Sequence, residues 1–463
     1  MGMHHDGIAY FPLDGGNRGL LVMNHEYTDD GPAARHPLMK TATDLRRPER
    51  AGHAEQLRQQ QDAMGSYLSG EENFANYFHG GGHINADQKR WCLRKTSPYR
   101  WAEHDARFSA TRHPNEFHRF GWVVEIDPMD PNSTPIKRTA LGRAAHEGAW
   151  VAVTKDGRAV VYSGEDSRFE YIYKFVSLDP IAPAGNGLTQ AHANRELLDH
   201  GTLHVARFDA DGSGRWLPLV QGQGPLTAAN GFADQGEVVI KARQASDALG
   251  ATKMDRPEWL AIDQKSGEVF ASLTNNSSRG AIDQPGVDAA NPRANNVMGN
   301  IIRWKDDGDF DAITMRWNHL VLAGDPGNTR PEAQGNVKGD MFGCPDGLML
   351  DARGVLWIQT DVHASQMRQG EFARIGNNQM LACDRGTGEI RRFLTGPVNC
   401  EITGATQTPD GTTMFINIQH PGETPSDRSD PGQPNRFSKW PYGGRPRSAT
   451  VVIRRKDGGV IGA

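Results

Sequence analysis

The chain has 463 residues, with 53 Gly, 27 Pro, 23% charged residues and a formal net charge of -5. Closed all-β architectures reach this length as one domain, and this much Gly and Pro favours frequent turns over long helices. The absence of a basic block excludes a nucleic-acid partner, and no window approaches the ~20 uninterrupted apolar residues of a membrane span.

In chain order, Met1 to Ile8 has neither the basic nor the apolar region of an export signal, so none is expected there. The apolar run 19–23, after the turn Asp14-Gly15-Gly16, reads as a strand. Residues 43–64 are charged and glutamine-rich, as in Gln59-Gln60-Gln61, and read as a surface loop or short exposed helix. Run 121–126, bounded by Asp127-Pro128, is a second strand. Hairpins follow at 150–162, 259–273, 348–358 and 403–418, while 380–384 with the turn Thr387-Gly388 supplies outer strands and 449–453 the last one. Segments 180–230, rich in Gly, Pro and Ala, and 275–299, rich in Asn, Ser and Gly, read as insertions.

The hairpins repeat a pattern. Glu147, Glu258, Asp346 and Glu401 each stand at the mouth of an apolar run, and each run ends in a glycine turn, at Gly157, Gly267, Gly354 and Gly411. Strands recurring with a fixed turn mark a radial β architecture, so the expected fold is a single all-β propeller over residues 1–463. About six blades, with loop and short helical insertions, fit the spacing between the acids.

Acids at one place in each unit converge on the axis, and carboxylates gathered that closely repel one another unless cations lie between them. All-oxygen donors favour calcium, magnesium, manganese or oxidised iron over a thiolate–imidazole zinc. Further acids, Glu26, Glu71-Glu72, Glu165-Asp166 and Asp361, follow other strands. Arg256, two residues before Glu258, is either its buried ion-pair partner or an oxyanion ligand, and Arg445 and Arg447 offer a second anion clamp. His25 and His146 adjoin acids they would orient, and His113, His118 and His420 read as surface residues. Cys92, Cys344, Cys383 and Cys400 are scattered and read as free thiols. Neither a Gly-x-Ser-x-Gly elbow nor a His-Glu-x-x-His helix occurs.

Asn24-His25-Glu26-Tyr27, Gly70-Glu71-Glu72-Asn73-Phe74, His146-Glu147-Gly148, Arg256-Pro257-Glu258-Trp259, Pro345-Asp346-Gly347, Trp357-Ile358-Gln359-Thr360-Asp361 and Gly444-Arg445-Pro446-Arg447-Ser448 together resemble the PhoX-type alkaline phosphatases. The resemblance implies a six-bladed propeller phosphomonoesterase with calcium and ferric iron around a bridging oxygen, exported to the periplasm or beyond. By motif it assigns Glu26, Glu71 and Glu72 to the iron centre, Glu147, Glu258, Asp346 and Asp361 to the wider metal cage, and Arg256 and Arg445 to phosphate. Glu401 belongs to the repeat without a matching family role. Two departures stand out. The chain begins within the first motif, and the family's iron-ligating cysteine is missing from the stretch 59–65. The expectation is therefore a monomeric, metal-dependent phosphatase of small-molecule phosphate esters that keeps its calcium sites and holds iron weakly. A calcium-dependent propeller lactonase and a catalytically silent metal-binding propeller are the rivals.

Overall fold

The computed structural model describes residues 5–13, 18–25, 41–46, 63–185, 187–425, 430 and 432–463. The described strands group into six blades, in line with the expected number of about six. The first holds β1 (His5–Leu13), β2 (Arg18–His25) and β3 (Thr41–Arg46), and the second β4 (Tyr67–Gly70), β5 (Val123–Ile126) and β6 (Ile136–Arg138). In the third are β7 (His146–Val153), β8 (Arg158–Glu165), β9 (Ile172–Pro180), β10 (Gly201–Phe208) and β11 (Ser213–Pro218). The fourth holds β12 (Pro257–Asp263), β13 (Glu268–Leu273), β14 (Asn300–Asp306) and β15 (Thr314–Leu322). β16 (Lys338–Gly339), β17 (Pro345–Leu350), β18 (Val355–Thr360), β19 (Gln379–Asp384) and β20 (Glu389–Thr395) make the fifth. β21 (Glu401–Gln407), β22 (Thr413–Gln419) and β23 (Ala449–Arg454) make the sixth. β11 pairs with β15, so the third and fourth blades share one nine-stranded sheet.

Second strands of the blades are covered on both faces, which is why they read as near-continuous apolar runs: β22 is buried throughout and β8 in all but its first residue. The predicted turn glycines Gly157, Gly267, Gly354 and Gly411 all have positive φ, a conformation that other residues reach only with strain. Between the fourth and fifth blades, Trp259, Phe270, Ile301, Leu348, Leu356 and Ile358 pack into one apolar cluster. Tyr162, Trp216 and Trp304, from β8, β11 and β14, meet at ring centroids 5.7–5.9 Å apart.

Inner strands β1, β4, β7, β12, β17 and β21 surround the axis, and β21 packs against β1 to close the ring. The Tyr67 hydroxyl donates to the Gly7 carbonyl at 3.3 Å, tying β4 to β1. These strands line an axial cavity of about 260 Å³, bordered by Asp6, Tyr67, Glu147, Trp150, Trp259 and Met349.

Two of the organisational expectations need correction. Segment 180–230 is not merely an insertion, because it contains β10 and β11; glycine and proline at both ends mask two short strands. Residues 43–46 belong to β3, in register with β2, rather than to a loop or helix; 47–62 lie outside the described residues. Segment 275–299 is a connection between β13 and β14, crossed by a single bridge between Asn276 and Asn296.

Candidate metal centre

Three inner strands slip register where the acid stands. β7 shifts between His146 and Gly148, around Glu147; β12 between Pro257 and Leu260, around Glu258; β17 between Pro345 and Leu348, around Asp346. A bulge bends its strand and re-aims the extra side chain, and here it turns each carboxylate toward the axis. β1 repeats the device with Asp6 between His5 and Ile8. In β21 the shift comes later, between Thr403 and Ala405, so Glu401 is not itself in a bulge. Two positions before three of the acids the backbone is left-handed without glycine, at Arg256 (φ 55°), Cys344 (φ 50°) and Asn399 (φ 50°).

One carboxylate oxygen from each of Glu147, Glu258 and Asp346 lies within 4.8 Å of the other two, and Glu72, Glu147 and Asp166 form a second trio of the same kind. Glu147 belongs to both. Glu258 and Asp346 are buried and Glu147 is partly covered, so their charges meet little solvent. Burial first, then Glu72 and Glu258, pushes the Glu147 carboxyl well above the usual range. Burial and Asp166 raise Glu258 to about 8, against the pull of Arg256. Asp346 rises through burial, Glu258 and Glu401, and its buried Oδ1 has no hydrogen-bond partner among the described residues.

An orphaned buried oxygen among mutually repelling carboxylates fits a hard, oxygen-seeking cation. The Trp259 indole N–H donates to Glu147 Oε1 at 3.1 Å, and Ser272 Oγ and Thr274 Oγ1 donate to the backbone carbonyls of Asp346 and Pro345 at 2.7 and 2.9 Å. These contacts fix the donors from behind. Gly164 is obligatory for the same reason: a Cβ there would come within 2.4 Å of the Glu258 carbonyl oxygen.

Arg256 borders the cluster. Its Nε and Nη2 each donate to Asp166 at 2.7 Å, and Nη2 lies 3.2 Å from Glu258 Oε1. Burial opposes its charge, but Asp166 and Glu258 outweigh burial and hold the guanidinium more firmly protonated than usual.

Not every candidate acid joins. Of the neighbours Glu71 and Glu72, only Glu72 enters a trio. Glu71 accepts from the Gly121 and Trp122 amides at 3.1 Å and from Lys137 Nζ at 2.7 Å, a structural assignment. Asp361 lies close enough to act electrostatically on Arg256, Asp346 and Glu401. Glu26 falls outside the described residues. Arg445 is exposed in the connection from β22 to β23. Glu401 Oε2 accepts from Gln419 at 3.0 Å and lies 3.3 Å from His420 Nε2, so His420 is an internal partner of the fourth mouth acid rather than a surface residue. His146 is fully buried between Ser163 Oγ (2.6 Å) and the Gly142 carbonyl (2.9 Å), and burial lowers it to about 4. All four cysteines are free thiols, as expected; burial pushes Cys344, beside Asp346, up to about 12.

Asp166, one of the further acids that follow strands in the sequence, has no place in the family motifs yet belongs to the second trio. It adjoins Glu165, which is buried and paired with Arg243 at 2.7 Å; that ion pair keeps Glu165 in the interior, and Asp166 is the acid that joins the trio.

The propeller gathers buried carboxylates beside a charged guanidinium at one axial mouth, and comparison with known proteins gives its class: the protein is a metal-dependent phosphoric monoester hydrolase. The family model of alkaline phosphatase PhoX matches residues 30–422. The chain belongs to that family. The structure of Pseudomonas fluorescens PhoX in complex with vanadate, a transition state analogue, superposes with a TM-score of 0.87 at 39% identity, covering 100% of this chain and 90% of that one. A gluconolactonase of Xanthomonas campestris reaches a TM-score of 0.26 at 12% identity, covering 65% of this chain and 62% of that one, a likeness too slight to support any inference. No curated protein sequence matches the chain.

Proposed function

We propose that Glu147, Glu258 and Asp346 hold one calcium ion and that Glu72 and Asp166, sharing Glu147, complete a second cation position, with Asp361 close by. The supporting observation is the pair of carboxylate trios within 4.8 Å, joined by Glu147 and containing an unpartnered buried oxygen. A divalent cation held by these carboxylates would supply Lewis-acid polarisation of the phosphoryl group and would offset the charge of the acids.

The chain supplies the remainder. Arg256 binds equatorial phosphate oxygens through the guanidinium edge not committed to Asp166, and neutralises the charge that grows on them in the transition state. Asp166 and Glu258 orient that guanidinium. Arg445 reaches the ester from the exposed loop of the sixth blade, and the Trp259 and Ser272 contacts keep the carboxylates in place. Calcium is favoured over iron because an all-oxygen donor set suits a hard cation and the family's iron-ligating cysteine has no counterpart in the stretch 59–65. The substrates are small phosphate monoesters, and the family resemblance favours action outside the cytoplasm. Among the described residues no helix is long and apolar enough to cross a membrane.

Elemental analysis of the purified protein, paired with hydrolysis of p-nitrophenyl phosphate at alkaline pH before and after chelation, tests the proposal. Bound calcium and turnover should vanish and return together. Calcium bound without turnover under any metal supplement would leave a silent propeller.

A further inference from the structure

Arg256 keeps a left-handed backbone, φ 55°, that persists in a non-glycine residue only where its surroundings over-determine it. Most of the constraint comes from one side. Asp255, the residue before it, is completely buried; its Oδ1 accepts from Arg279 Nε at 2.7 Å and its Oδ2 from Asn296 Nδ2 at 3.0 Å. Its backbone bridges to Arg168. On the other side the Thr274 amide donates to the Arg256 carbonyl at 3.1 Å.

Arg279 is buried as deeply, with 1% exposure. It donates Nη2 to the Lys253 carbonyl at 2.6 Å and Nη1 to that of Gly286 at 2.9 Å, and it lies 5.0 Å from the ring of Phe169, which is itself left-handed. Arg279 and Asn296 both belong to the connection 275–299, which adds no strand to its blade. A buried ion pair contributes little net stability, since removing two charges from water offsets their attraction. What this pair does supply is a fixed geometry for the peptide that precedes Arg256.

We infer that Asp255 and Arg279 are positioning residues for phosphoryl transfer: the connection 275–299 is a strut that sets the direction in which the Arg256 guanidinium leaves the backbone. The inference rests on the phosphate contact proposed for Arg256. A guanidinium at the end of a long side chain magnifies any relaxation of φ at its root, and a misplacement of about 1 Å costs on the order of 100-fold in rate.

The test uses the metal-loaded full chain and the variants Arg279→Met, Arg279→Lys, Asp255→Asn and Arg256→Lys. It reads kcat and KM on p-nitrophenyl phosphate, the inhibition constant of inorganic phosphate, bound calcium and the melting temperature. Arg279→Met should keep its calcium, lose between about 10-fold and 100-fold in kcat/KM and bind inorganic phosphate more weakly, with Arg279→Lys recovering part of both. Added to Arg256→Lys, it should cost little more, because both changes act through one group. Should Arg279→Met not fold, Asp255→Asn gives the same readings. A folded variant with unchanged kcat/KM and phosphate inhibition, beside a damaged Arg256→Lys, overturns the strut. An Arg256→Lys protein with full activity and unchanged phosphate inhibition overturns the phosphate contact as well, so the two failures are distinguishable.

Discussion

Glu258→Gln should move the metal-free and the calcium-loaded protein in opposite directions. In the metal-free fold the Glu258 carboxyl stands at about 8, against 4.5 when unfolded. Between those values the native state binds more protons than the unfolded one, so metal-free stability falls as pH rises through this window and is lowest above it. A displacement of that size corresponds to about 5 kcal/mol at high pH. For a chain of 463 residues, an unfolding entropy of about 2.1 cal/mol/K per residue converts this to about 5 °C in melting temperature. Glutamine keeps the shape and loses the charge, so at pH 9 the metal-free variant should melt up to about 5 °C above the metal-free parent. Calcium should raise the parent strongly and the variant little. Differential scanning calorimetry at pH 5 and pH 9, with chelator or with calcium, reads all four cases. A variant that melts below the parent without metal, or that gains as much from calcium, would refute the repulsion argument.

Calcium binding should release protons, because Glu147, Glu258 and Asp346 are all raised in the metal-free fold. Affinity should therefore fall as pH drops below about 8, and titration calorimetry in two buffers of different ionisation enthalpy measures the proton count. Arg256→Ala should lower kcat/KM by about 10²- to 10³-fold, the typical loss for one donor to a developing anion, and relax inhibition by inorganic phosphate; loss of calcium alone, with normal turnover after resupply, would contradict that role. Gly164→Ala should destabilise the fold by about 1–3 kcal/mol, because its methyl meets the Glu258 carbonyl, and calcium affinity should fall with it. A wild-type melt in that variant would show that the two strands can separate there.

How far the site could be read in advance depended on whether a residue announced itself locally. Glu147, Glu258 and Asp346 did, because each precedes an apolar run that closes on a glycine turn, and a bulge then turns the acid inward. Glu401 shared the pattern, yet its partner His420 lies beyond the next strand, so only the fold shows that this acid holds an imidazole. Glu71 and Glu72 are adjacent and chemically equal; Lys137, from β6, decides that Glu71 faces away from the axis. Glu165 and Asp166 divide in the same way through Arg243, contributed by the helix Ala242–Leu249. β1, β10 and β11 escaped notice because they begin at a chain end or between glycines and prolines, where turn signals outweigh short alternation. Left-handed backbone at Arg256, Cys344 and Asn399 has no local signature, since none of these is glycine and each is held by contacts distant in sequence.

Titration of the metal-free protein with calcium, with bound metal and p-nitrophenyl phosphate hydrolysis followed in the same samples, tests the axial site most directly. Turnover should rise in proportion to calcium held by the parent chain and stay absent in Glu258→Gln over the same range. Full hydrolysis by the metal-free protein, or by Glu258→Gln without bound calcium, would contradict the account.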